Sequence, residues 1–168
     1  MGSAERLPDV IAPGLRLLYC GINPSLYSAR VGHHFARPGN RFWKVLHGAG
    51  LTPRLLSPDE DRRLLEWGQG ITNLVARPTA AATDLDDAEL VAGARLLARK
   101  LRRYRPAALV FVGIGAYRTA TGRRRAAIGL QPEPFADVPT WALPNPSGRT
   151  AGYSLAQMVS LYRDLRAS

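Results

Sequence analysis

The chain has 168 residues, 46% hydrophobic and 21% charged, enough for one domain to bury its own core without help from disulfides or metal. Its single cysteine, Cys20, excludes an internal disulfide and any structural site built from several cysteines, and points to an intracellular protein. Lys plus Arg is 23 against 13 for Asp plus Glu, a formal net charge of +10; such a field attracts polyanions but is equally consistent with solvated, arginine-rich helix faces.

Residues 1–13 are expected to form a short, loosely held leader, and 14–168 one domain without repeats or long linkers. The leader lacks the basic-then-apolar order of a signal peptide, and no apolar run approaches the roughly 18 residues of a membrane span. A cytoplasmic protein without a membrane partner is expected.

"LRLLYC" (15–20) has the pattern of a strand buried on both faces. It runs into "GINPS" (21–25), where Asn23-Pro24 either initiates a turn or aims a polar group into a crevice. The following loop, "VGHHFARPGNRFW" (31–43), interleaves aromatic, amide and cationic groups. Phe35, flanked by small and polar residues, suits stacking on a base. Phe42 and Trp43 instead open an amphipathic helix with Val45 and Leu46 and belong to the core. His33 and His34 are adjacent, so they lack the i, i+4 spacing of a helical metal pair, and no cysteine or nearby carboxylate completes a ligand set. No metal is expected.

"SPDE" (57–60) places Ser57 as N-cap, Pro58 at the first helical position and Glu60 at the third, a capping box leading into Leu64 and Leu65. A short strand follows at "GITNLV" (70–75). The segment "DDAELVAGARLLARKLRRY" has apolar residues at 90, 94, 97, 101 and 104, one helical stripe with Arg and Lys opposite. The basic groups at 99–105 and 122–125 fit exposed helix and loop faces better than phosphate contacts. "AALVFVG" (107–113) is a third buried strand, and "VGIGAYR" (112–118) gives G-x-G with Arg118 in place of a third glycine, a weak dinucleotide signal.

The last strand, "TWALP" (140–144), also runs into Asn-Pro-Ser, at Asn145, Pro146 and Ser147. Ser147 lacks a G-x-S-x-G elbow, and residue order shows no Ser-His-Asp arrangement. Arg149, on a glycine-containing loop, is placed to enter a duplex or grip phosphates. "YSLAQM" (153–158) opens the final helix with Ser154 as cap, Gln157 answering it, and Tyr153 stapling to Met158. Strands alternating with helices imply an α/β fold whose mainly parallel sheet is covered on both sides. Ligands of such sheets bind beyond the carboxyl ends of the strands, so the two Asn-Pro-Ser turns would face one crevice.

"GINPS", "GHHFARPGNRFWK", "GITNLVARPT" and "LPNPSGRT", in this order and spacing, resemble the mismatch-specific uracil-DNA and thymine-DNA glycosylases of the uracil-DNA glycosylase superfamily, over about residues 15 to 165. The resemblance implies a three-layer α/β sandwich with a short central sheet. It also implies hydrolysis of the N-glycosidic bond of uracil, with thymine and ethenocytosine as further substrates to be ranked, opposite guanine in double-stranded DNA. The enzyme would be a monofunctional glycosylase, acting as a monomer and without a cofactor.

By the same resemblance Asn23 positions the attacking water. Ile22, Ser28, His34, Phe35 and Asn73 form the base pocket, with backbone N–H groups near Ile22 and Phe35 as donors to the base. Asn145, Pro146, Ser147, Gly148, Arg149 and Thr150 form the DNA wedge and opposite-strand contacts. Asn40, Arg41 and Lys44 are candidate phosphate contacts. Two positions stand out: Ser25 replaces the family's usual Gly, and Ser28 matches the uracil branch where the thymine branch carries Ala. His34 is open to a role in chemistry, base contact or packing. Two other readings are a broader-specificity uracil glycosylase and a non-catalytic DNA- or nucleotide-binding α/β module.

Overall fold

A computed structural model describes residues 7–148 and 150–168. The apolar runs become β1 (Leu17–Gly21), β2 (Gln69–Asn73) and β3 (Leu109–Val112). After them come a two-residue strand, β4 (Gly129–Leu130), and β5 (Thr140–Leu143). The sheet order is β2-β1-β3-β5-β4; the first four strands are parallel, and β4 pairs antiparallel with β5 at the edge. Alternate side chains feed two cores, as strand geometry requires. Leu17, Tyr19, Val110 and Val112 pack on one face with Phe42, Val45, Met158 and Tyr162. Leu18, Cys20, Leu109 and Phe111 pack on the other with Leu97, Leu101 and Tyr117. The expected α/β three-layer sandwich is the fold observed.

Among the described residues five α-helices cover the sheet: α1 (Leu26–Val31), α2 (Phe42–Gly48), α3 (Asp87–Tyr104), α4 (Ile114–Thr121) and α5 (Leu155–Arg163). Phe42, Trp43, Val45 and Leu46 are buried in α2 as expected. The α5 capping box closes both ways, Gln157 N donating to Ser154 Oγ at 3.1 Å and Ser154 N to Gln157 Oε1 at 2.8 Å. Asp86 and Glu89 cap α3 in the same manner.

Three features depart from expectation. The segment after Ser57 is 3-10 over Pro58–Trp67; Glu60 answers Ser57 N at 3.2 Å, but the Ser57 hydroxyl turns to Asp59. β4, of two residues, and α1, of six, are too short to show a periodicity in the sequence. The described part of the leader is not loose. Val10 is 1% exposed and exchanges backbone hydrogen bonds with Ile71, and Lys100 reaches Asp9 at 2.6 Å. The domain core therefore begins before residue 14. Among the described residues no helix is long and apolar enough to cross a membrane.

Gly93 lets α3 approach the exit of β2: a Cβ there would stand 2.3 Å from the Leu74 carbonyl oxygen. Gly93→Ala adds helix propensity worth about 1 kcal/mol, but the clash is with backbone. The expected outcome is a net loss of about 1–3 kcal/mol by urea denaturation; an unchanged or raised midpoint would show that the carbonyl moves aside.

Candidate active site

From β1 the sheet order runs one way to β2 and the other way to β3. Such a reversal opens a crevice at the carboxyl edge. The crevice found there has a volume of about 330 Å³. Ile22 and Asn23 from the end of β1, Asn73 from β2 and Asn145 from the loop after β5 all line it. The two Asn-Pro turns do face one space.

Asn23 is held by the loop after β2. Its Nδ2 donates to Arg77 O and to Thr79 Oγ1, both at 2.8 Å. The Thr79 hydroxyl spends its one proton on Ala81 O at 2.7 Å, so toward Asn23 it can only accept. That fixes which way the amide faces. Both amide hydrogens are committed, and Oδ1 is the atom left to act. The backbones are tied as well: Thr79 N donates to Pro24 O, and Leu26 N to Thr79 O. Ser25 caps α1, accepting from Ser28 N at 3.0 Å. This is the role of the serine that replaces the expected glycine.

Opposite Asn23, Phe35 sits at φ +52, a left-handed conformation unusual for an aromatic residue. The N–H groups on either side of it are pinned by side chains: His34 N donates to Asp61 Oδ2 at 2.9 Å and Ala36 N to Ser28 Oγ at 3.0 Å. Phe35 N itself donates to no described residue. One face of the ring lies on Phe42, 4.0 Å between centroids and 22° between planes. Gly21 admits this arrangement, since a Cβ there would fall 2.6 Å from Asn73 Oδ1 and 3.3 Å from the Phe35 ring. The Asn73 amide makes no hydrogen bond among the described residues and faces the crevice.

The family model of the uracil DNA glycosylase superfamily matches residues 8–166. The chain belongs to that superfamily. Its members are DNA glycosylase hydrolases, and DNA is their partner. The fold is similar to the solution NMR structure of a candidate uracil DNA glycosylase from Methanosarcina acetivorans, with a TM-score of 0.61 at 19% identity, covering 97% of this chain and 98% of that one.

Of the residues expected from the resemblance to this superfamily, Ile22, Asn23, Ser28, His34, Phe35, Asn40, Asn73, Asn145, Ser147 and Thr150 line the crevice. Arg149 lies outside the described residues. Arg41 is corrected: its Nη1 and Nη2 donate to the carbonyls of Tyr153 (2.8 Å), Ser147 (3.1 Å) and Thr150 (3.3 Å) and its Nε is buried without a partner among the described residues, so it clamps the second Asn-Pro loop instead of facing a phosphate. Asn40 Oδ1 accepts from Phe42 N at 2.9 Å, in place of a helix cap. Lys44 is exposed and away from the crevice lining. Gly148 also lies outside the lining, pressed so close to Gly39 that a Cβ would meet its carbonyl at 2.7 Å.

Of the lining residues that were not expected, two bear on function: Thr79 and Arg37. Thr79, within "GITNLVARPT", orients Asn23, and only tertiary contact reveals this. Arg37, between Phe35 and Asn40, is the one charged arginine among the described lining residues, and its side chain makes no ion pair or hydrogen bond with any described residue. Among the described residues no Asp, Glu or Lys lines the crevice, and no cluster of metal-ligating side chains occurs.

His34 is 2% exposed. Its Nε2 lies 2.7 Å from Pro8 O, which can only accept, so Nε2 carries the hydrogen. Burial pushes the imidazole below its ordinary value, against the opposing pull of the Pro8 carbonyl and of Asp61 and Asp9. The unfolded chain takes up that proton near about pH 6.5 while the folded protein resists it. Stability from this group is therefore present above that pH and lost as pH falls below it. Thermal midpoints measured from about pH 7.5 down to pH 5.5 should decline, and His34→Asn should flatten the decline even if its midpoint starts lower.

Proposed function

We propose that the protein is a monofunctional uracil-DNA glycosylase, active on uracil mispaired with guanine in double-stranded DNA and leaving an abasic site. The observation that carries this reading is the locked amide of Asn23. With both hydrogens engaged by Arg77 and Thr79, Oδ1 accepts a hydrogen bond from a water and holds its lone pair toward the anomeric carbon. An amide neither gains nor loses a proton near neutrality, so Asn23 orients the water rather than deprotonating it. Among the described lining residues no carboxylate competes for the base role, and burial disfavours the charged form of His34, whose Nε2 proton is engaged by Pro8.

Bond breaking then leads. The base leaves as an anion with the electron pair of its glycosidic bond; water adds to the sugar cation, and its proton passes to bulk water, which in turn protonates the departed base. Phe35 N, free of protein partners, supports a donor role toward the departing base anion. The Phe35 ring, backed on one side by Phe42, offers its other face for stacking, and the unengaged Asn73 amide suits the base edge. Among the described lining residues there is no lysine to form a Schiff base with the sugar, which supports a monofunctional reaction.

Two features support the finer specificity. Ser28 is 2% exposed, with its oxygen fixed by Ala36 N; a hydroxyl in the place of the thymine branch's methyl favours uracil over thymine. Flipping the target base costs a few kcal/mol and is easiest for a mispaired one, which favours G:U over A:U. The deciding experiment is release of uracil, with an alkali-labile abasic site, from labelled G:U, A:U and G:T duplexes side by side in chelator. A broader-specificity enzyme would process A:U as fast as G:U, and a binding module would release nothing.

Asn23→Ala should lower the single-turnover rate on G:U duplex by about 10²-fold or more while leaving duplex binding intact. Near-full rate would remove Asn23 from the reaction. Arg37 replaces Arg41 as the cation available to a phosphate beside the flipped nucleotide. For Arg37→Ala, the slope of log affinity against log salt should fall by about one; an unchanged slope would exclude a phosphate contact.

A further inference from the structure

A second concavity, of about 610 Å³, lies at the β4 edge and shares no lining residue with the crevice. Its apolar part is Ala126, Ala127, Ile128 and Leu130, and Arg124 and Arg125 line it beside them. Leu130, 59% exposed, is the most exposed large apolar residue among those described. Both arginines are exposed, and neither side chain has a partner among the described residues. Glu133, the groove's carboxylate, lies 3.8 Å from Arg123 Nη2 and is already opposed.

The walls are fixed. Arg123 donates to Tyr117 Oη (2.7 Å), Pro134 O (2.9 Å) and Glu133 O (3.2 Å), and Gln131 Nε2 to Ala127 O and Gly129 O at 2.7 and 2.9 Å. A preformed site loses little entropy on binding.

The edge itself says what fits. Gln131 N donates to Thr140 O, and Leu130 stands opposite Trp141. Hydrogen-bonded and non-bonded pairs alternate along an antiparallel ladder, so the Leu130 N–H and C=O point away from β5 to the open edge. They offer strand pairing to an extended chain. A DNA backbone has neither an amide to pair there nor an apolar side chain for Ile128 and Leu130. We propose that this groove docks an extended, acidic segment of a partner protein, pairing with Leu130 and placing an apolar side chain between carboxylates that reach Arg124 and Arg125.

Fluorescence anisotropy with the fluorescein-labelled peptide DEVLVDE tests this. Saturable binding is expected, weakened about tenfold or more for the peptides DEGSGDE and KKVLVKK, and likewise in the Arg124→Glu, Arg125→Glu double variant and in Leu130→Asp. The milder Arg124→Gln, Arg125→Gln pair should weaken it less, and all variants should keep the wild-type thermal midpoint within a few degrees. Absence of saturable binding of DEVLVDE, or equal binding by wild type and these variants, overturns the proposal. So does loss of undamaged-duplex affinity instead of peptide affinity in the double variant, which would make the surface a DNA contact.

Discussion

The site depends on the lack of a side chain at Gly21. β1 lies between β2 and β3, so its end is where the flanking loops converge. A methyl group there would collide with Asn73 Oδ1 at 2.6 Å and press on the Phe35 ring at 3.3 Å. With only hydrogen in that position, an amide from β2 and an aromatic from the loop before α2 meet across the end of one strand. The left-handed turn at Phe35 serves the same convergence. Its strain, of order 1–3 kcal/mol for such a residue, is held by Asp61, which lies outside the crevice lining, and by Ser28, which belongs to it.

Much of the fold was legible because its signals are local. Buried strands between breakers, a capping box at Ser154 and an apolar stripe along α3 each read correctly from neighbouring letters. The two Asn-Pro-Ser turns could be placed at one edge because parallel strands put their ends there. What failed was non-local. Arg41 looks like a phosphate ligand until the second Asn-Pro loop folds across it and takes its donors. Thr79 looks like a loop threonine until Asn23 arrives. Val10 opens a three-residue apolar run between prolines, and only its pairing with Ile71 makes it core.

Among its described residues the crevice carries polar groups but no acidic one. Among the described residues its polar groups are amides, hydroxyls, one arginine and one histidine whose charged form burial disfavours, set beside apolar residues such as Ile22 and Phe35. Such a lining changes little in charge across the neutral range, and it does not repel a polyanion. If water is only oriented there, the ease with which the base leaves becomes a sieve in its own right: a stable leaving anion departs, and an ordinary pyrimidine stays. Net charge of +10 then acts mainly on encounter with DNA, because pairs such as Arg77 with Glu89 and Arg54 with Glu60 leave many other arginines uncompensated.

The early residues bear on how the protein is handled at the bench. Leu7 lines the crevice, the Pro8 carbonyl takes the His34 hydrogen, and Val10 joins the sheet through Ile71. A chain trimmed to residue 14, where sequence alone puts the domain boundary, would still carry every motif of the superfamily. It would lack part of the crevice wall and the acceptor that keeps a buried imidazole in register, so an inactive trimmed sample would say nothing about the chemistry of the whole.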